Sequence, residues 1–328
     1  MMLIKKTDSI FIAGDKGMVG SAIKRCLLRN GYSNIITASK KDLNLLDYAC
    51  VKKWFALNKP QIVILAAARV GGIEANFKFP CDFILENLKI QTNVMEIARE
   101  NNVKRFLFLG SSCIYPKMCH QPIKEESLLS GPLEITNEPY AIAKIAGLKL
   151  CSAMRKQYNF DAISLMPTNL YGPRDNYHET NSHVLPAFIN KFHTAVENNN
   201  DEVVCWGTGN PLREFLHVDD LADATLFALE KYKISISNNE FNDQNEFLNV
   251  GTGNEISIKD LANLIASKIG FKGKIVWDKS KQDGTPRKLL DVTRINKLGW
   301  HASISLERGI EDTIKTYISE KENNQLRC

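Results

Sequence analysis

Short apolar runs and longer helical patterns alternate along the first half of the chain. Between Ser9 and about Leu170, runs rich in β-branched residues predict five strands, at 10–13, 35–38, 62–68, 106–110 and 162–166. Recurring apolar positions between them predict four helices, at 19–30, 48–57, 83–101 and 139–158. Strands this uniformly apolar are typical of a parallel sheet that is covered on both faces. The alternation therefore predicts an α/β fold with a doubly wound, Rossmann-type parallel sheet.

The pattern changes beyond Gly172. Apolar runs become fewer, polar loops become longer, and an asparagine-rich stretch appears at 198–201. A single core stops growing at about 250 to 300 residues, so a chain of 328 residues is expected to form two lobes. We expect residues 1–170 to form the first domain and residues 171–328 to form a second, smaller α/β lobe with fewer strands.

Two segments of the second half are expected to return to the first sheet. Within 215–250, the apolar pattern predicts a helix at 219–231 and a strand at 246–250. The polar stretch between them, at 235–245, predicts an exposed loop. The first domain is therefore not expected to be continuous in sequence.

Composition and charge exclude several classes of protein. The chain is 44% hydrophobic and 24% charged, as expected of a soluble globular protein. Its 42 basic and 37 acidic residues are dispersed, and no basic block of the kind that binds nucleic acid occurs. Apolar runs such as 62–68 are too short to span a bilayer, and the N-terminal residues contain no signal peptide. We expect a cytoplasmic protein that binds neither membrane nor nucleic acid.

The cysteines do not indicate a metal site or a disulfide framework. The chain has eight, without CxxC spacing, at positions 26, 50, 81, 113, 119, 151, 205 and 328. Cys119 and His120 are adjacent but lack a second pair of ligands. We therefore expect no bound metal.

A glycine-rich turn follows the first strand directly and opens the first helix. Gly14, Gly17 and Gly20 are spaced G-x-x-G-x-x-G. Glycine at such positions permits a tight turn and lets the backbone approach a pyrophosphate, while the N-terminus of the helix favours an anion. This arrangement predicts a dinucleotide-binding site.

The end of the second strand bears on which dinucleotide is bound. The segment 37–41 lacks the acidic residue that would bind the ribose 2′-hydroxyl of NAD. Lys40, assisted by Lys16 of the glycine turn, could instead bind a 2′-phosphate, which indicates NADP. The alternative is that Lys40 and Lys41 belong to an ordinary solvated loop.

Tyr140 and Lys144 are the main candidates for chemistry. Spaced four residues apart, they project from one face of a predicted helix, and Ser111 lies between them and the glycine turn in the sequence. A phenol has an unperturbed pKa of about 10, and a neighbouring ammonium favours its phenolate form. We expect Lys144 to lower the pKa of Tyr140. The alternative is an ordinary amphipathic helix.

Together these features resemble the extended short-chain dehydrogenase/reductases and, among them, the GDP-L-fucose synthase family. The G-x-x-G-x-x-G turn, a serine after the fourth strand and Tyr-x-x-x-Lys are the signatures of the larger family. Six longer motifs carry the closer resemblance across essentially the whole chain; they lie at 108–116, 137–147, 166–173, 181–187, 213–220 and 283–288.

The resemblance implies a reaction and the residues that perform it. The family epimerises C3 and C5 of GDP-4-keto-6-deoxy-D-mannose and then reduces C4 with NADPH, giving GDP-L-fucose. By position, Cys113 would be the base and His183 the acid of epimerisation. Ser111 and Tyr140 would donate hydrogen bonds to the C4 oxygen, and Tyr140 would protonate it during reduction. Lys144 would hold the nicotinamide ribose. Without the resemblance, Cys113 could be a buried structural thiol and His183 a surface or capping residue.

The resemblance also implies two sets of binding residues. Those expected to contact NADPH are Gly14, Lys16, Gly17, Met18, Val19, Gly20, Lys40, Leu109, Gly110, Ser111, Ser112, Lys144, Pro167, Thr168, Asn169, Leu170 and His183. Those expected to contact the GDP-sugar are Asn169, Lys191, Trp206, Arg213, Asp283 and Lys288. Read alone, Arg213 could pair with Asp219 or Asp220, and Trp206 could be a core aromatic.

One departure from the family concerns the cationic positions. Bacterial members usually have arginine where this chain has Lys16, Lys40 and Lys191. Lysine lacks the bidentate fork of arginine. We therefore expect the preference for NADPH over NADH to be less strict here.

The sequence leaves two alternative functions open, and the resemblance implies an oligomeric state. A nucleotide-sugar 4-epimerase or 4,6-dehydratase would retain NAD, but Cys113, His183 and Lys40 argue against it, as does the lack of an acidic pair beside Ser111. A catalytically silent nucleotide-sugar sensor would not need the complete set of catalytic residues that this chain retains, which are Ser111, Cys113, Tyr140, Lys144 and His183. The resemblance also implies a homodimer, formed through the helix that contains Tyr140 and the helix predicted at 83–101.

Overall fold

The computed structural model describes residues 2–178, 182–234, 247–281 and 283–327. Their strands are β1 (Ile10–Ala13), β2 (Ile35–Ile36), β3 (Ile62–Leu65), β4 (Arg105–Leu109), β5 (Ala162–Pro167), β6 (Asn169–Tyr171), β7 (Glu202–Trp206), β8 (Leu212–His217), β9 (Leu248–Val250), β10 (Glu255–Ser257), β11 (Lys274–Asp278) and β12 (Arg287–Lys288). Their α-helices are α1 (Met18–Arg29), α2 (Tyr48–Asn58), α3 (Ile73–Lys78), α4 (Pro80–Glu100), α5 (Glu138–Tyr158), α6 (Val184–Glu197), α7 (Val218–Lys231), α8 (Ile258–Ile269), α9 (Thr293–Lys297) and α10 (Leu306–Glu322).

The largest sheet has six strands in the order β2-β1-β3-β4-β5-β9, and every pairing is parallel. Every residue of β1, β3, β4 and β5 is buried, as the uniformly apolar runs predicted. The doubly wound α/β fold expected from the sequence is thus confirmed.

Two of the predicted strands are shorter than expected. β2 lies at the edge of the sheet, and only Ile35 and Ile36 pair with β1, so the strand stops before Ala38. β3 ends at Leu65, after which the backbone at Ala67 passes against the glycine turn that follows β1.

Two segments of the second half pack on this sheet. β9 pairs with β5, and α7 packs against α1. An ion pair between Arg25 on α1 and Asp219 on α7, 2.7 Å long, lies at that helix contact. Residues 235–246, which include the predicted loop at 235–245 and the first residue of the predicted strand, lie outside the described residues.

The second half contains more strands than its sequence suggested. Within the described residues beyond Gly172 there are six, β7 to β12. β8 is central to a four-stranded sheet, pairing antiparallel with β10 and parallel with β6 and β12, while β7 pairs with β11. The expectation of fewer strands was wrong because these strands are short, and those such as β12 are composed of charged residues.

The buried apolar side chains form two clusters. The larger surrounds the six-stranded sheet and includes Leu290, Ile295 and Trp300 from near the C-terminus. The smaller is formed by side chains of α6, α8 and α10, among them Phe192 and Ile265. The sites described below lie on the strand ends and loops between these two clusters.

The described residues lack two further features, a membrane-spanning helix and a cluster of metal ligands. None of their helices combines the length and apolar character needed to cross a membrane. The same residues contain no cluster of three or more histidine, cysteine, aspartate or glutamate side chains that could bind a metal ion.

Candidate active site

Ser111 and Cys113 lie in a tight turn at the carboxyl end of β4. Gly110 precedes them, and a Cβ atom there would come within 2.2 Å of the Met166 sulfur, so a larger residue would require the Met166 side chain to move. The Ser111 hydroxyl caps a short 3₁₀ helix (Ser112–Ile114) by accepting a hydrogen bond of 3.3 Å from the Cys113 amide. This turn fixes the hydroxyl and the thiol at one edge of the sheet.

Tyr140 and Lys144 are presented by the first turns of α5. Lys144 is only 4% exposed, and its ammonium donates a hydrogen bond of 2.9 Å to the Leu109 carbonyl at the end of β4. It also lies 5.7 Å from the centroid of the Tyr140 ring. Burial lowers the pKa of Lys144 to about 8, although the negative charge of a Cys113 thiolate would counteract this.

The pKa of Tyr140 differs from the expectation. The phenol is half-buried between α5 and the Ser111 turn, and this burial raises its pKa above the ordinary value. A negatively charged Cys113 raises it further, while a hydrogen bond with Ser111 acts in the opposite direction. The expected lowering by Lys144 is not what the geometry produces, because the ammonium is directed to the Leu109 carbonyl. At neutral pH the phenol is therefore protonated and able to donate.

Two donors face the Cys113 sulfur. The side-chain amide of Asn137, just before α5, donates to it over 3.3 Å, and the ammonium of Lys288 on β12 lies at 3.9 Å. The thiol is half-buried, so it is not the fully buried structural thiol that a lone cysteine often is. Sequence reasoning placed Lys288 on the GDP-sugar; the structure places its ammonium at the thiol.

His183 begins α6 in the second half of the chain. It occupies the capping position, but its imidazole makes no capping hydrogen bond. More than a third of its surface is accessible, yet the surrounding atoms lower its pKa, which favours the neutral imidazole at pH 7. Asn181, from the same motif, lies outside the described residues, as do the two residues before it.

The glycine turn has the shape that a pyrophosphate requires. Gly14 has a φ of +91°, and its amide carbonyl accepts a hydrogen bond of 3.0 Å from Gly17. A Cβ atom on Gly20 would lie 2.1 Å from the Gly14 oxygen. Met18 and Val19 follow Gly17 and begin α1. The backbone N–H groups of this first helical turn have no partner within the helix and are directed out of its N-terminus, toward the glycine turn.

Lys16 and Lys40 lie near this turn and near the end of β2. Both side chains are exposed, and neither forms an ion pair within the described ranges. Lys40 belongs to a turn in which the Ser39 hydroxyl donates to Asp42 over 2.5 Å. The structure is consistent with a phosphate role for both ammonium groups and does not bring them into any competing contact.

The segment from Pro167 to Leu170 leaves the sheet at the end of β5. The Thr168 amide donates to the Val250 carbonyl on β9 over 3.0 Å. The Thr168 hydroxyl and the Asn169 side-chain amide both donate to the Glu214 carbonyl, over 3.3 and 2.8 Å. These bonds hold the segment between the two sheets.

Trp206 lies close to two lysines, of which Lys191 was expected to contact the GDP-sugar and Lys281 was not. Trp206 is 49% exposed and so is not a core aromatic. The ammonium of Lys191 lies 5.1 Å from its ring and also donates to the Val204 carbonyl. Lys281, which the sequence did not single out, lies 5.4 Å from the same ring. A flat ring flanked by two cations suits a base and a diphosphate.

Asp283 and Arg213 interact electrostatically with each other, and Arg213 also interacts with Cys113. Asp283 accepts hydrogen bonds from the Thr208 amide and hydroxyl, over 2.9 and 2.6 Å, so its carboxylate holds the loop after Trp206. Burial lowers the pKa of Arg213, while Asp283, Cys113 and Glu134 favour its charged form.

The two acidic residues that could have paired with Arg213 have other partners. Asp219 pairs with Arg25 on α1. Asp220 accepts hydrogen bonds from the backbone amides of Ser303 and Ile304. The alternative in which Arg213 is a plain salt-bridge partner of these two residues is therefore wrong.

Glu134 and Glu214 were missed by sequence reasoning. Glu134 forms an ion pair of 2.9 Å with Lys117 and lines a small cavity beside Cys113 and Lys288. Glu214 is completely buried, and its carboxylate accepts from the amides of Thr252 and Gly253, each over 2.7 Å, and of Leu290, over 3.0 Å. Burial raises the pKa of Glu214. Glu214 lies within the family motif at 213–220 and Glu134 lies just before the motif at 137–147. This proximity was the only feature of the sequence that could have indicated a role for either residue.

Comparison with known proteins gives one family and several relatives. The family model described as the NAD dependent epimerase/dehydratase family matches residues 10–242. The chain is 54% identical to "Probable GDP-L-fucose synthase 1" of Oryza sativa subsp. japonica, over 96% of this chain and 94% of that protein. It is 50% identical to "GDP-L-fucose synthase" of Escherichia coli (strain K12), over 95% of this chain and 97% of that protein.

A solved structure agrees with these sequence relatives. A GDP-mannoheptose C4 reductase from Campylobacter jejuni with NADP bound superposes with a TM-score of 0.86 at 36% identity, over 96% of this chain and 99% of that one. The likeness thus extends to a nucleotide-sugar reductase and over nearly the full length of both chains.

Proposed function

The chain belongs to the NAD dependent epimerase/dehydratase family, and we propose that it epimerises C3 and C5 of GDP-4-keto-6-deoxy-D-mannose and reduces C4 with NADPH, yielding GDP-L-fucose. One observation carries the proposal. The protonated Tyr140 phenol, the buried Lys144 ammonium and the Ser111 hydroxyl lie beside a Cys113 thiol that accepts hydrogen bonds from two donors. A reductase alone needs the first three and has no use for the fourth.

Epimerisation begins with loss of a proton next to the ketone. The C4 carbonyl acidifies the hydrogens on C3 and C5, and Cys113, as thiolate, removes one of them. Ser111 and Tyr140 donate hydrogen bonds to the C4 oxygen, where the negative charge of the enolate accumulates. His183 returns a proton to the opposite face of the carbon. The neutral imidazole that its lowered pKa favours must first take up a proton. Because His183 is accessible, solvent can protonate it before each epimerisation, and the proton taken by Cys113 leaves to solvent in turn.

Reduction uses the same oxygen-binding residues. When bound, NADPH supplies the hydride that is added to C4. Tyr140 gives its proton to the C4 oxygen, which its raised pKa suits because the phenol stays protonated until charge develops there. Lys144 lies close enough to the ring to offset the phenolate charge that remains.

The residues present fit NADPH. The absence of a side chain at Gly20 lets the start of α1 pack directly against the glycine turn, since a Cβ atom there would lie 2.1 Å from the Gly14 oxygen, and the start of α1 offers backbone donors to a pyrophosphate. Lys16 and Lys40 have no competing ion pair within the described ranges and would bind the 2′-phosphate. Lys144 would bind the nicotinamide ribose, and the segment from Pro167 to Leu170 would line the nicotinamide.

The GDP-sugar would lie between the two apolar clusters. Trp206, flanked by Lys191 and Lys281, would bind the nucleotide, and Arg213 would bind the diphosphate. We propose that residues 1–170, with contributions from 215–250, form the NADP-binding domain and that 171–328 form the substrate domain. Asp283 supports this site through the Thr208 loop.

The molecule is proposed to act as a cytoplasmic homodimer, since its nucleotide reactants are cytoplasmic metabolites. α4 and α5 pack side by side, and each exposes an apolar side chain, Leu85 and Ile142. Two such helices from each subunit would form a four-helix interface. The double variant Leu85→Glu, Ile142→Glu should be a monomer when its molar mass is measured by light scattering. A molar mass equal to that of the wild-type dimer would contradict this interface.

The experiment that tests the function supplies purified protein with GDP-4-keto-6-deoxy-D-mannose and either NADPH or NADH. We expect NADPH oxidation matched by GDP-L-fucose, identified by NMR. The Tyr140→Phe variant should bind the substrate but lose most of the reduction rate, because it lacks the proton that the C4 oxygen receives.

Other products would refute parts of the proposal. Oxidation of NADPH with an unepimerised GDP-6-deoxy sugar as product would show a plain C4 reductase and would remove the roles of Cys113 and His183. No NADPH oxidation would favour the two functions left open by the sequence, an NAD-retaining epimerase or dehydratase and a silent sensor. The relatives named above support the bifunctional reaction over both.

A further inference from the structure

Asn137 shares a helix face with the two residues proposed to carry out reduction. It immediately precedes α5, three residues before Tyr140 and seven before Lys144. Residues at this spacing lie above one another on a helix. Asn137 occupies the capping position of α5, yet its side chain makes no capping hydrogen bond. The side chain is instead turned toward the active site.

The two ends of the Asn137 amide are used differently. The nitrogen donates to the Cys113 sulfur over 3.3 Å. The oxygen is buried and has no hydrogen-bond partner in the part of the chain that the structure describes. A buried carbonyl oxygen left without a donor is unfavourable, and most such atoms in native proteins are paired. A ligand hydroxyl that reached this oxygen would supply the missing donor.

Other acceptors near the thiol are already occupied. Among the described residues that line the small cavity beside Cys113, Glu134 is paired with Lys117, and the Gln121 side-chain oxygen accepts from the Leu289 amide over 2.9 Å. Lys288, the second donor to the sulfur, cannot accept a hydrogen bond. Asn137 thus offers an uncharged acceptor that no cavity-lining neighbour uses.

We propose that Asn137 is a binding and positioning residue whose amide nitrogen orients the Cys113 sulfur while its amide oxygen accepts a hydrogen bond from the C3 hydroxyl of the bound keto-hexose. This inference rests on the proposed function. Of the two carbons that Cys113 deprotonates, C5 carries a methyl group and C3 carries a hydroxyl. Only C3 can therefore present a donor to an acceptor that lies beside the sulfur.

The arrangement explains how one base can serve two carbons. The hydrogen bond from the C3 hydroxyl holds the unepimerised sugar with C3 at the thiolate. Inversion moves the C3 hydroxyl onto the face from which the proton was removed, so the hydrogen bond of the unepimerised sugar is not kept in the same geometry, and the ring is free to present C5. Asn137 therefore links recognition of the substrate to the order in which its two carbons react.

The test compares two substrates with and without the Asn137 side chain. Wild-type protein and Asn137→Ala are incubated in D₂O without cofactor, and deuterium at C3 and C5 is followed by NMR. The substrates are GDP-4-keto-6-deoxy-D-mannose and its 3-deoxy analogue, which lacks only the proposed donor. We expect Asn137→Ala to raise KM for the hydroxylated substrate by about tenfold and to leave KM for the analogue unchanged, as loss of one buried hydrogen bond implies.

Two controls keep the result interpretable. Asn137→Ala should keep the far-UV circular dichroism spectrum and the cooperative thermal unfolding of the wild type, which shows that the variant is folded. Glu138→Ala changes the exposed neighbouring residue and should behave as wild type in every assay.

The outcomes separate the inference from the function on which it rests. Equal KM increases for the hydroxylated substrate and for its 3-deoxy analogue would overturn the role of the amide oxygen. Unchanged exchange in Asn137→Ala, with an active wild type, would overturn the whole inference and leave the proposed function intact. A wild type that neither exchanges deuterium nor oxidises NADPH would refute both.

Discussion

Replacing Lys144 by methionine is expected to make the protein more stable while abolishing its activity. The lysine is 4% exposed, and in the described part of the chain its ammonium donates only to the Leu109 carbonyl. Burial lowers its pKa from 10.5 to about 8. At pH 7 the folded protein therefore holds a positive charge where the fold disfavours one. Methionine has a similar length and carries no charge.

The lowered pKa sets both the size and the pH range of the effect. The unfolded chain keeps this proton up to a pH near 10.5 and the folded chain only up to about 8, so the wild type gains stability as the pH rises between these values. At pH 7 the buried charge costs about 3.4 kcal/mol. Losing the hydrogen bond to Leu109 offsets about 1 kcal/mol. The net gain of Lys144→Met is therefore about 2 kcal/mol at pH 7, falling below about 0.5 kcal/mol at pH 9.5.

Urea unfolding at the two pH values measures this directly. Lys53→Met, on the exposed face of α2, is the matched control and should change the free energy of unfolding by less than about 0.5 kcal/mol. Two results would refute this reasoning: a lower free energy of unfolding for Lys144→Met than for the wild type at pH 7, or a difference in this free energy that is the same at pH 7 and pH 9.5. Either result would show that the buried ammonium does not destabilise the fold. Retention of NADPH oxidation would remove Lys144 from the mechanism.

Three further substitutions test the cofactor turn, the buried carboxylate and the choice of dinucleotide. Gly20→Ala would place a Cβ atom 2.1 Å from the Gly14 oxygen, and we expect NADP⁺ affinity, measured by calorimetry, to fall at least about tenfold. Glu214→Gln would turn an amide donor toward backbone donors such as the Leu290 amide, and should lower the free energy of unfolding in urea by about 2 kcal/mol. Lys40→Ala should reduce the ratio of kcat/KM for NADPH over NADH by about tenfold, because the 2′-phosphate loses a cation.

Each of these has a matched control. A Cβ atom on Gly17 would lie 3.4 Å from the Gly14 oxygen, an ordinary contact, so Gly17→Ala should leave the melting temperature unchanged, whereas Gly20→Ala should lower it. Glu202→Gln, at an exposed position on β7, should leave unfolding in urea within about 0.5 kcal/mol of wild type. Lys41→Ala should leave the coenzyme ratio unchanged. A Lys41→Ala variant that behaves like Lys40→Ala would show a diffuse charge effect and no defined phosphate contact.

The central sheet could be predicted because its strands are apolar throughout. The strand Ile62–Leu65 is buried on both faces, and an uninterrupted run of apolar residues predicts burial of that kind. The second half could not be read in the same way. β12 consists of Arg287 and Lys288, and the mixed pairing around β8 depends on segments far apart in sequence. Local patterns carry little information about such contacts.

The candidate site shows the same division. Ser111, Tyr140 and Lys144 could be placed from spacing alone, since a helix turn and a strand end determine where they lie. That Lys288 would reach the thiol, 175 residues away in sequence, depends on tertiary packing. Nothing in the sequence indicated that Glu214 is fully buried, because carboxylates are usually exposed.

The return of the chain to its first sheet has a consequence for synthesis. β5 is completed at Pro167, but its outer neighbour β9 is not made until Val250, and α7, which packs against α1, is not completed until Lys231. Until then a nascent chain exposes an unpaired edge and an apolar helix face, both of which favour association with other chains. Translation from residue 167 to residue 250 is therefore the interval in which this protein most needs protection by a chaperone, and a gene truncated within it should yield aggregate even though every glycine of the cofactor turn has already been made.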